Sequence, residues 1–239
     1  MLRACTMTAA MLAAASTATA QLTAIGPFVG DEQEGFEQYP FGQFVSQLPN
    51  AFNGTAVFNQ IGGSQGLHVT SGWGYLCTVR SFAGSKMMAG TSNVVVEWVF
   101  DTPATKVGGY FSTNGDVTFA TFRFYDDANN LIATEQANTP LCSWAWNGWE
   151  TTGAGIKRIE VEGVHRIGGH IMHDELEVTY GCPCACLFDP DPACDIFDFL
   201  AFQNLFVLGD PCACDYDPDP ACDIFDFLAF QNQFVIGCP

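Results

Sequence analysis

The 239-residue sequence predicts an all-β antiparallel sandwich followed by a small α-helical, disulfide-rich module built from two copies of one loop–helix unit. Three observations carry this reading. Apolar residues before Tyr180 recur at period two, composition changes abruptly after Tyr180, and the remaining stretch repeats itself at a spacing of 28 residues.

Charge narrows the function classes first. The chain has 26 Asp and Glu against 8 Lys and Arg, a formal charge of −18. Nucleic acid and anionic membrane surfaces both call for basic patches, so neither is an expected partner. Hydrophobic residues make up 48% of the chain, enough for a real core.

Residues 1–20 read as an export signal. Arg3 precedes an apolar, Ala-rich stretch from Ala4 to Ala18, and Ala18-Thr19-Ala20 has the small-x-small form of a cleavage site. The stretch is too short to span a bilayer, and no later apolar run approaches that length. The expected product is secreted, at the cell surface or free, and starts at Gln21.

Eleven cysteines fit that destination. Cys5 leaves with the signal. The remaining ten are expected to be paired, with Cys77 and Cys142 bridging the body. The tail holds Cys182, Cys184, Cys186, Cys194, Cys212, Cys214, Cys222 and Cys238. Zinc at Cys184-Ala185-Cys186 is the rival reading, which an oxidising compartment disfavours.

The body, residues 21–180, alternates. Val94, Val96, Trp98 and Phe100 share a face, Ile159 and Val161 alternate with Glu160 and Glu162, and Met172, Leu176, Val178 and Tyr180 oppose Glu175, Glu177 and Thr179. Val117–Tyr125 shifts phase between Phe119 and Phe122, as a bulged strand does. Turn signals stand at Asn114-Gly115, Asp126–Asn130, Asn147-Gly148, Thr152-Gly153 and Gly168-Gly169. The strings Phe100–Ala104, Val107–Phe111 and His173–Val178 resemble secreted bacterial jelly-roll domains related in shape to carbohydrate-binding modules.

Four features of the body bear on chemistry. Gly62-Gly63-Ser64-Gln65-Gly66 matches a nucleophile elbow, but that elbow needs a strand before it and a helix after it, which an all-β body does not offer. His68, His165, His170 and His173 read as exposed strand histidines. Asp174, placed by parity with Leu176 and Val178, points into the core and needs a partner: a backbone donor, or a structural calcium shared with Glu34 or Glu37. Trp144, Trp146 and Trp149, with Trp73 and Tyr75, form a candidate sugar-stacking platform, although Trp149 takes the opposite face of its strand from Trp144 and Trp146.

The tail, residues 181–239, carries ten Asp and no Glu, Lys or Arg between 182 and 239. Residues 184–209 and 212–237 align without gaps and agree at 22 of 26 positions. In the second copy Asp215, Asp217, Asp219, Asp223 and Asp226 occupy positions 1, 3, 5, 9 and 12 of a twelve-residue loop, with the Ala221 carbonyl at position 7. Calcium takes about six to eight oxygens, and this spacing gathers them, so Ca²⁺ is the expected ion. The first copy keeps Asp189, Asp191, Asp195 and Asp198 but has Leu187 at position 1, and is the weaker site. The segments Phe199–Val207 and Phe227–Val235 are apolar on most faces and read as helices that pack on each other.

A duplicated loop–helix unit of this size resembles a type I dockerin. The repeated Asp-Ile-Phe-Asp-Phe-Leu-Ala-Phe-Gln-Asn segment (195–204 and 223–232) and the closing Gly237-Cys238-Pro239 resemble the GC-type dockerins of secreted planctomycete-type bacterial proteins. The resemblance implies calcium binding and attachment to a cohesin-like or cell-surface partner. It departs from the pattern at loop position 6, where Pro192 and Pro220 replace the glycine of the usual turn.

Together these readings predict a secreted, non-catalytic modular protein whose sandwich is anchored through the tail. The alternatives are a polysaccharide-degrading enzyme, for which no pair of acids stands out, and a glycan-binding module with a polysaccharide ligand.

Overall fold

The computed structural model describes residues 22–42, 44–62, 66–90, 95–152, 154–163, 170–181, 188, 195–210, 212–214, 216 and 221–236. The expected export signal therefore lies outside the described residues. The strands, in chain order, are β1 (Leu22–Ala24), β2 (Glu32–Glu34), β3 (Phe44–Val45), β4 (Gln47–Ala51), β5 (Ala56–Ile61), β6 (Leu67–Thr70), β7 (Gly72–Gly74) and β8 (Thr78–Arg80). They continue as β9 (Met87–Gly90), β10 (Val95–Thr113), β11 (Phe119–Tyr125), β12 (Leu131–Asn138), β13 (Ala145–Thr151), β14 (Ile156–Gly163) and β15 (Ile171–Tyr180). Two helices follow, α1 (Ile196–Leu208) and α2 (Ile224–Ile236).

The body is an antiparallel β-sandwich whose two layers share β10. Its first half, Val95–Phe100, pairs with β14 and β5, and its second half, Lys106–Thr113, pairs with β13 and β15. Register shifts on either side of Ala104 mark the bend between them. Pro103 stands at this bend, where a residue without an N–H breaks no ladder. The first layer runs β12-β11-β14-β10-β5-β4, and the second runs β1-β13-β10-β15 and on to β2, β9, β6 and β3.

The core fills the space between the layers. Trp98, Phe100, Phe122, Phe124, Ile159 and Val161 from the first layer meet Val107, Phe111, Trp149, Leu176 and Val178 from the second. Rings cross the interface directly: Phe111 meets Phe122 at 5.1 Å, and Phe122 meets Trp149 at 4.8 Å. At roughly 1.5–3 kcal/mol per fully buried apolar side chain, this cluster is the main source of stability in the body.

Two strand expectations change. β11 starts at Phe119 and keeps one phase, burying Ala120, Phe122 and Phe124, so the expected shift is absent. The phase shift occurs in β15 instead, where Glu175 has φ +45° and the register with β10 slips between Gly108/Glu177 and Tyr110/Asp174. Asn147-Gly148 is also no turn but lies inside β13, for a reason given below.

The two helices match the two sequence copies and pack about a pseudo-twofold axis. Phe202 and its repeat mate Phe230 stack with ring centroids 3.6 Å apart and planes 1° from parallel. Other contacts come in exchanged pairs: Phe188 to Phe230 at 5.6 Å and Tyr216 to Phe202 at 5.6 Å, Phe199 to Phe234 at 5.9 Å and Phe227 to Phe206 at 6.0 Å. This is the contact pattern of an isologous dimer made within one chain.

Candidate functional site

A small second core lies on the outer face of the second layer. Val79, Met87, Ala89 and Met172 are buried there, with Trp73, Cys77 and Trp144 packed against them. The hairpin β7–β8 covers it and is tied down by the Cys77–Cys142 disulfide, which the sequence had paired.

The bulge at Glu175 decides what else faces this side. Ile171 lies in the main core, and the His173 ring meets Trp98 and Phe111 there at 5.8 and 5.4 Å. Met172 packs into the outer cluster. After the bulge, Leu176 and Val178 return to the main core. Asp174 is therefore buried on the outer side, directly opposite Tyr110, and not beside Leu176 and Val178 as strict alternation required.

Beside it runs a row of aromatic side chains. Trp144 meets the edge of Phe82 at 6.2 Å, and Phe82 stacks on Tyr110 at 3.6 Å and 14°. Tyr110 meets Trp146 at 5.4 Å, and Trp146 meets Phe28 at 5.7 Å with planes nearly perpendicular. Phe82 is 44% exposed and the other four rings are half-buried. Backbone carbonyls fix both indoles, since Trp144 Nε1 donates to Arg80 O at 2.9 Å and Trp146 Nε1 donates to Ile25 O at 3.1 Å.

Trp146 lies across the cross-strand pair Gly108 and Gly148. A Cβ on Gly108 would stand 2.5 Å from Trp146 Cζ2, and one on Gly148 would stand 2.8 Å from its Nε1. Gly148 is thus a strand residue that makes room for a ring, which explains why the Asn-Gly signal there is not a turn.

Of the expected tryptophan platform, Trp144 and Trp146 join the row, whereas Trp149 is 4% exposed and belongs to the main core. Trp73, in the hairpin itself, packs onto the small outer cluster, and the structure adds Phe28, Phe82 and Tyr110 to the row. Tyr110 was legible in principle, sharing a face of β10 with Gly108, but Phe82 lies in a loop without periodicity.

The carboxylates of this side face backbone and side-chain donors. Asp174 accepts from the amides of Phe82, Ala83 and Glu175. Glu37 accepts from Ser85 and Lys86, Glu175 from Gln33, and Glu177 from the Gly30 amide. Glu34 is buried elsewhere, on the amides of Phe36 and Phe52 and on Gln38. Amide donors thus supply the partner that buried Asp174 needs, and Glu34 and Glu37 have amide donors of their own. Burial raises Asp174 to about 7 despite its amide donors, and burial likewise raises Glu34, Glu175 and Glu177.

The three described histidines are buried. His68 and His170 are buried around Trp73, and His173 is fully enclosed, with burial lowering it to about 3. His165 lies outside the described residues. Ser64 of the Gly62–Gly66 motif lies outside the described residues, and the next described element is strand β6 from Leu67, where an elbow would need a helix.

In the tail, Asp195 caps α1 by accepting from Phe197 N, and Asp223 accepts from Phe225 N in the same way. The position-12 residues Asp198 and Asp226 are fully buried. Asp198 accepts from Phe188 N and Asp195 N, and Asp226 from Tyr216 N and Asp223 N. Residues 182–239 supply no Lys or Arg. Asp189, Asp191, Asp215, Asp217 and Asp219 lie outside the described residues, as do Cys182, Cys184, Cys186, Cys194 and Cys238. Among the described residues no three His, Cys, Asp or Glu side chains gather as a metal site. Cys214 and Cys222 form a disulfide across the second loop, and Cys212 is also bonded.

Each helix shows solvent the same apolar set. Ile196, Phe197 and Leu200 on α1 match Ile224, Phe225 and Leu228 on α2, and all six are exposed. No described helix is long and apolar enough to cross a membrane.

No family model matches the chain, and no curated protein matches it. Solved structures do resemble it. The K2 cleaved adhesin domain of Lys-gingipain aligns at 16% identity over 62% of this chain and 97% of its own, with a TM-score of 0.44. TmCBM61, solved with β-1,4-galactotriose, aligns at 14% identity over 52% of this chain and 88% of its own, with a TM-score of 0.37. The CBM22-1 xylan-binding domain of Paenibacillus barcinonensis Xyn10C aligns at 12% identity over 65% of this chain and 99% of its own, with a TM-score of 0.37.

Proposed function

We propose that this chain is a secreted, non-catalytic glycan-binding protein that holds a neutral polysaccharide on the row Trp144–Phe82–Tyr110–Trp146–Phe28. The row carries the reading. Flat apolar ring faces at a protein surface suit the C–H faces of pyranose rings, and rings held by packing and by indole hydrogen bonds lose little entropy on binding. The carboxylates beside the row favour binding over hydrolysis, because Asp174, Glu37 and Glu177 all spend oxygens on backbone amides. They also favour an uncharged glycan over a polyuronate, which like charges repel.

The tail supplies attachment. Its expected ion is Ca²⁺ on Asp215, Asp217, Asp219, the Ala221 carbonyl, Asp223 and Asp226, and its expected partner is a cohesin-like or cell-surface protein that covers the apolar sets on α1 and α2. Disulfides in both the body and the tail suit an extracellular location.

The test is calorimetric titration of the full chain with cellohexaose, mannohexaose and xylohexaose. Binding to at least one, lost in Trp146→Ala with the melting temperature nearly unchanged, supports the reading. No binding to any of the three, or undiminished binding by Trp146→Ala, overturns it. Calcium titrated into metal-free chain tests the tail, with Asp226→Ala expected to weaken binding more than Asp198→Ala.

A further inference from the structure

The segment Phe82–Lys86 joins β8 to β9 and sets Phe82, the ring between Trp144 and Tyr110 in the row, face-on against Tyr110. No strand pairs with this segment. Its amides go to two carboxylates that approach from different parts of the chain. From β15, Asp174 Oδ2 accepts from Phe82 N at 2.6 Å and from Ala83 N at 3.3 Å, while its Oδ1 is braced by Glu175 N at 2.9 Å. From the turn after β2, Glu37 Oε1 accepts from Ser85 N at 2.6 Å and Lys86 N at 2.8 Å, and Oε2 from Ser85 Oγ at 2.7 Å. Lys86 Nζ completes the tie by donating to the carbonyls of Glu37 and Tyr39, at 2.5 and 2.7 Å.

We propose that Asp174 and Glu37 are the positioning residues of the aromatic row, a carboxylate latch that fixes the Phe82–Lys86 loop and with it the Phe82 ring. Its functional consequence rests on the glycan reading above, whereas the latch itself stands on the hydrogen bonds.

Two backbone features show that the latch is built into the fold. Without the bulge at Glu175, Asp174 would face the core and could not reach the loop. Gly84 has φ +56°, and a side chain there would collide with Glu37 Oε1. Only glycine both takes that conformation readily and leaves room for the carboxylate. The latch uses acceptors rather than side-chain packing because Phe82 is 44% exposed, so its ring contacts alone would not order the loop.

The test uses the full-length chain and variants that separate the acceptor from its bulk. Asp174→Asn keeps a carbonyl oxygen for the Phe82 amide, and Asp174→Leu keeps the size without an acceptor. Glu37→Gln and Glu37→Ala compare a retained with a removed acceptor on the surface, where folding is not at stake. Ligand-free amide exchange is the first readout. Asp174→Leu should speed exchange at Phe82 and Ala83 by an order of magnitude or more, with Asp174→Asn, which keeps one acceptor but turns an NH2 to the Glu175 amide, in between. Glu37→Ala should do the same at Ser85 and Lys86, with Glu37→Gln close to wild type.

Hexasaccharide affinity is the second readout. Asp174→Leu and Phe82→Ala should weaken it to a similar extent, roughly ten-fold, the upper range for one aromatic stacking contact. Wild-type exchange in Asp174→Leu and Glu37→Ala overturns the latch. Raised exchange with unchanged affinity, in a chain whose Phe82→Ala variant binds weakly, overturns the positioning role. If the wild type binds no glycan, amide exchange still decides the latch while the glycan reading falls alone.

Discussion

The indole of Trp146 lies over Gly108, so close that a β-carbon on Gly108 would stand 2.5 Å from Cζ2 of the ring. The two residues belong to neighbouring strands of the outer layer, and Gly148, cross-strand from Gly108, clears the other part of the same footprint. Gly108→Ala should lift the ring off the sheet. Overpacking of this kind costs about 1–3 kcal/mol, and the displaced indole should shift the tryptophan emission of the folded chain. An alanine variant with wild-type emission and melting temperature is incompatible with this placement of Trp146.

His173 should make the body acid-sensitive. Both ring nitrogens are buried without a hydrogen-bond partner, and burial lowers the folded-state value to about 3 from an ordinary 6.5. The unfolded chain therefore binds the proton first as pH falls. Stability is full above pH 6.5 and declines toward pH 3, by on the order of 4 kcal/mol at the lower end. His173→Phe, which suits the neighbouring Trp98 and Phe111 rings, should flatten that decline in denaturant melts taken from pH 7 to pH 4. Parallel profiles for the two proteins would falsify the assignment.

Asp174, the next residue, has the opposite sign. Its folded-state value is raised to about 7 from 3.8, so its contribution is full below about pH 4 and is lost as pH rises toward 7. Subtracting the stability of Asp174→Asn from that of wild type should give a difference that shrinks between pH 4 and pH 7 and is level above. A difference that grows with pH would show that the amide donors outweigh burial.

The tail should respond symmetrically to mutation. Phe202 and Phe230 stack on the pseudo-twofold axis and are fully buried, so Phe202→Ala and Phe230→Ala should each cost about 3–5 kcal/mol. The two costs should agree within about 0.5 kcal/mol, because each ring meets repeat-equivalent neighbours. Global amide exchange in α1 and α2 of the full chain reads this directly. A large inequality would mean that the copies do not share one core equally.

Much of this architecture was legible without coordinates because it depends on local spacing. Period-two runs marked β10, β14 and the C-terminal half of β15, and the 28-residue period marked two helices that must cover each other's apolar faces. The pairing of Cys77 with Cys142 followed from the body holding two cysteines. Parity also separated Trp149 from Trp144 and Trp146, which is how the structure divides them between core and surface.

The remainder depended on events that spacing does not encode. One inserted residue in β15 turned Asp174 from the inner to the outer side, and the alternation of Met172, Leu176 and Val178 concealed it because even-numbered residues on both sides of the bulge are apolar. His68, His170 and His173 looked like surface polar residues but are enclosed by rings brought from other strands. Asn147-Gly148 carried a turn signal, yet the glycine serves a neighbouring indole.

Sequence by itself determined the strand periodicity before Tyr180 and the acidic, cysteine-rich repeat after it, since periodicity, composition and repetition are properties of neighbours along the chain. Tertiary structure alone decided which aromatic rings meet at the surface and which carboxylates hold them. Phe82 and Tyr110 are 28 residues apart, and Asp174 is 92 residues from Phe82. Only the pairing register and a single bulge, set by the packing of both layers, bring the three together.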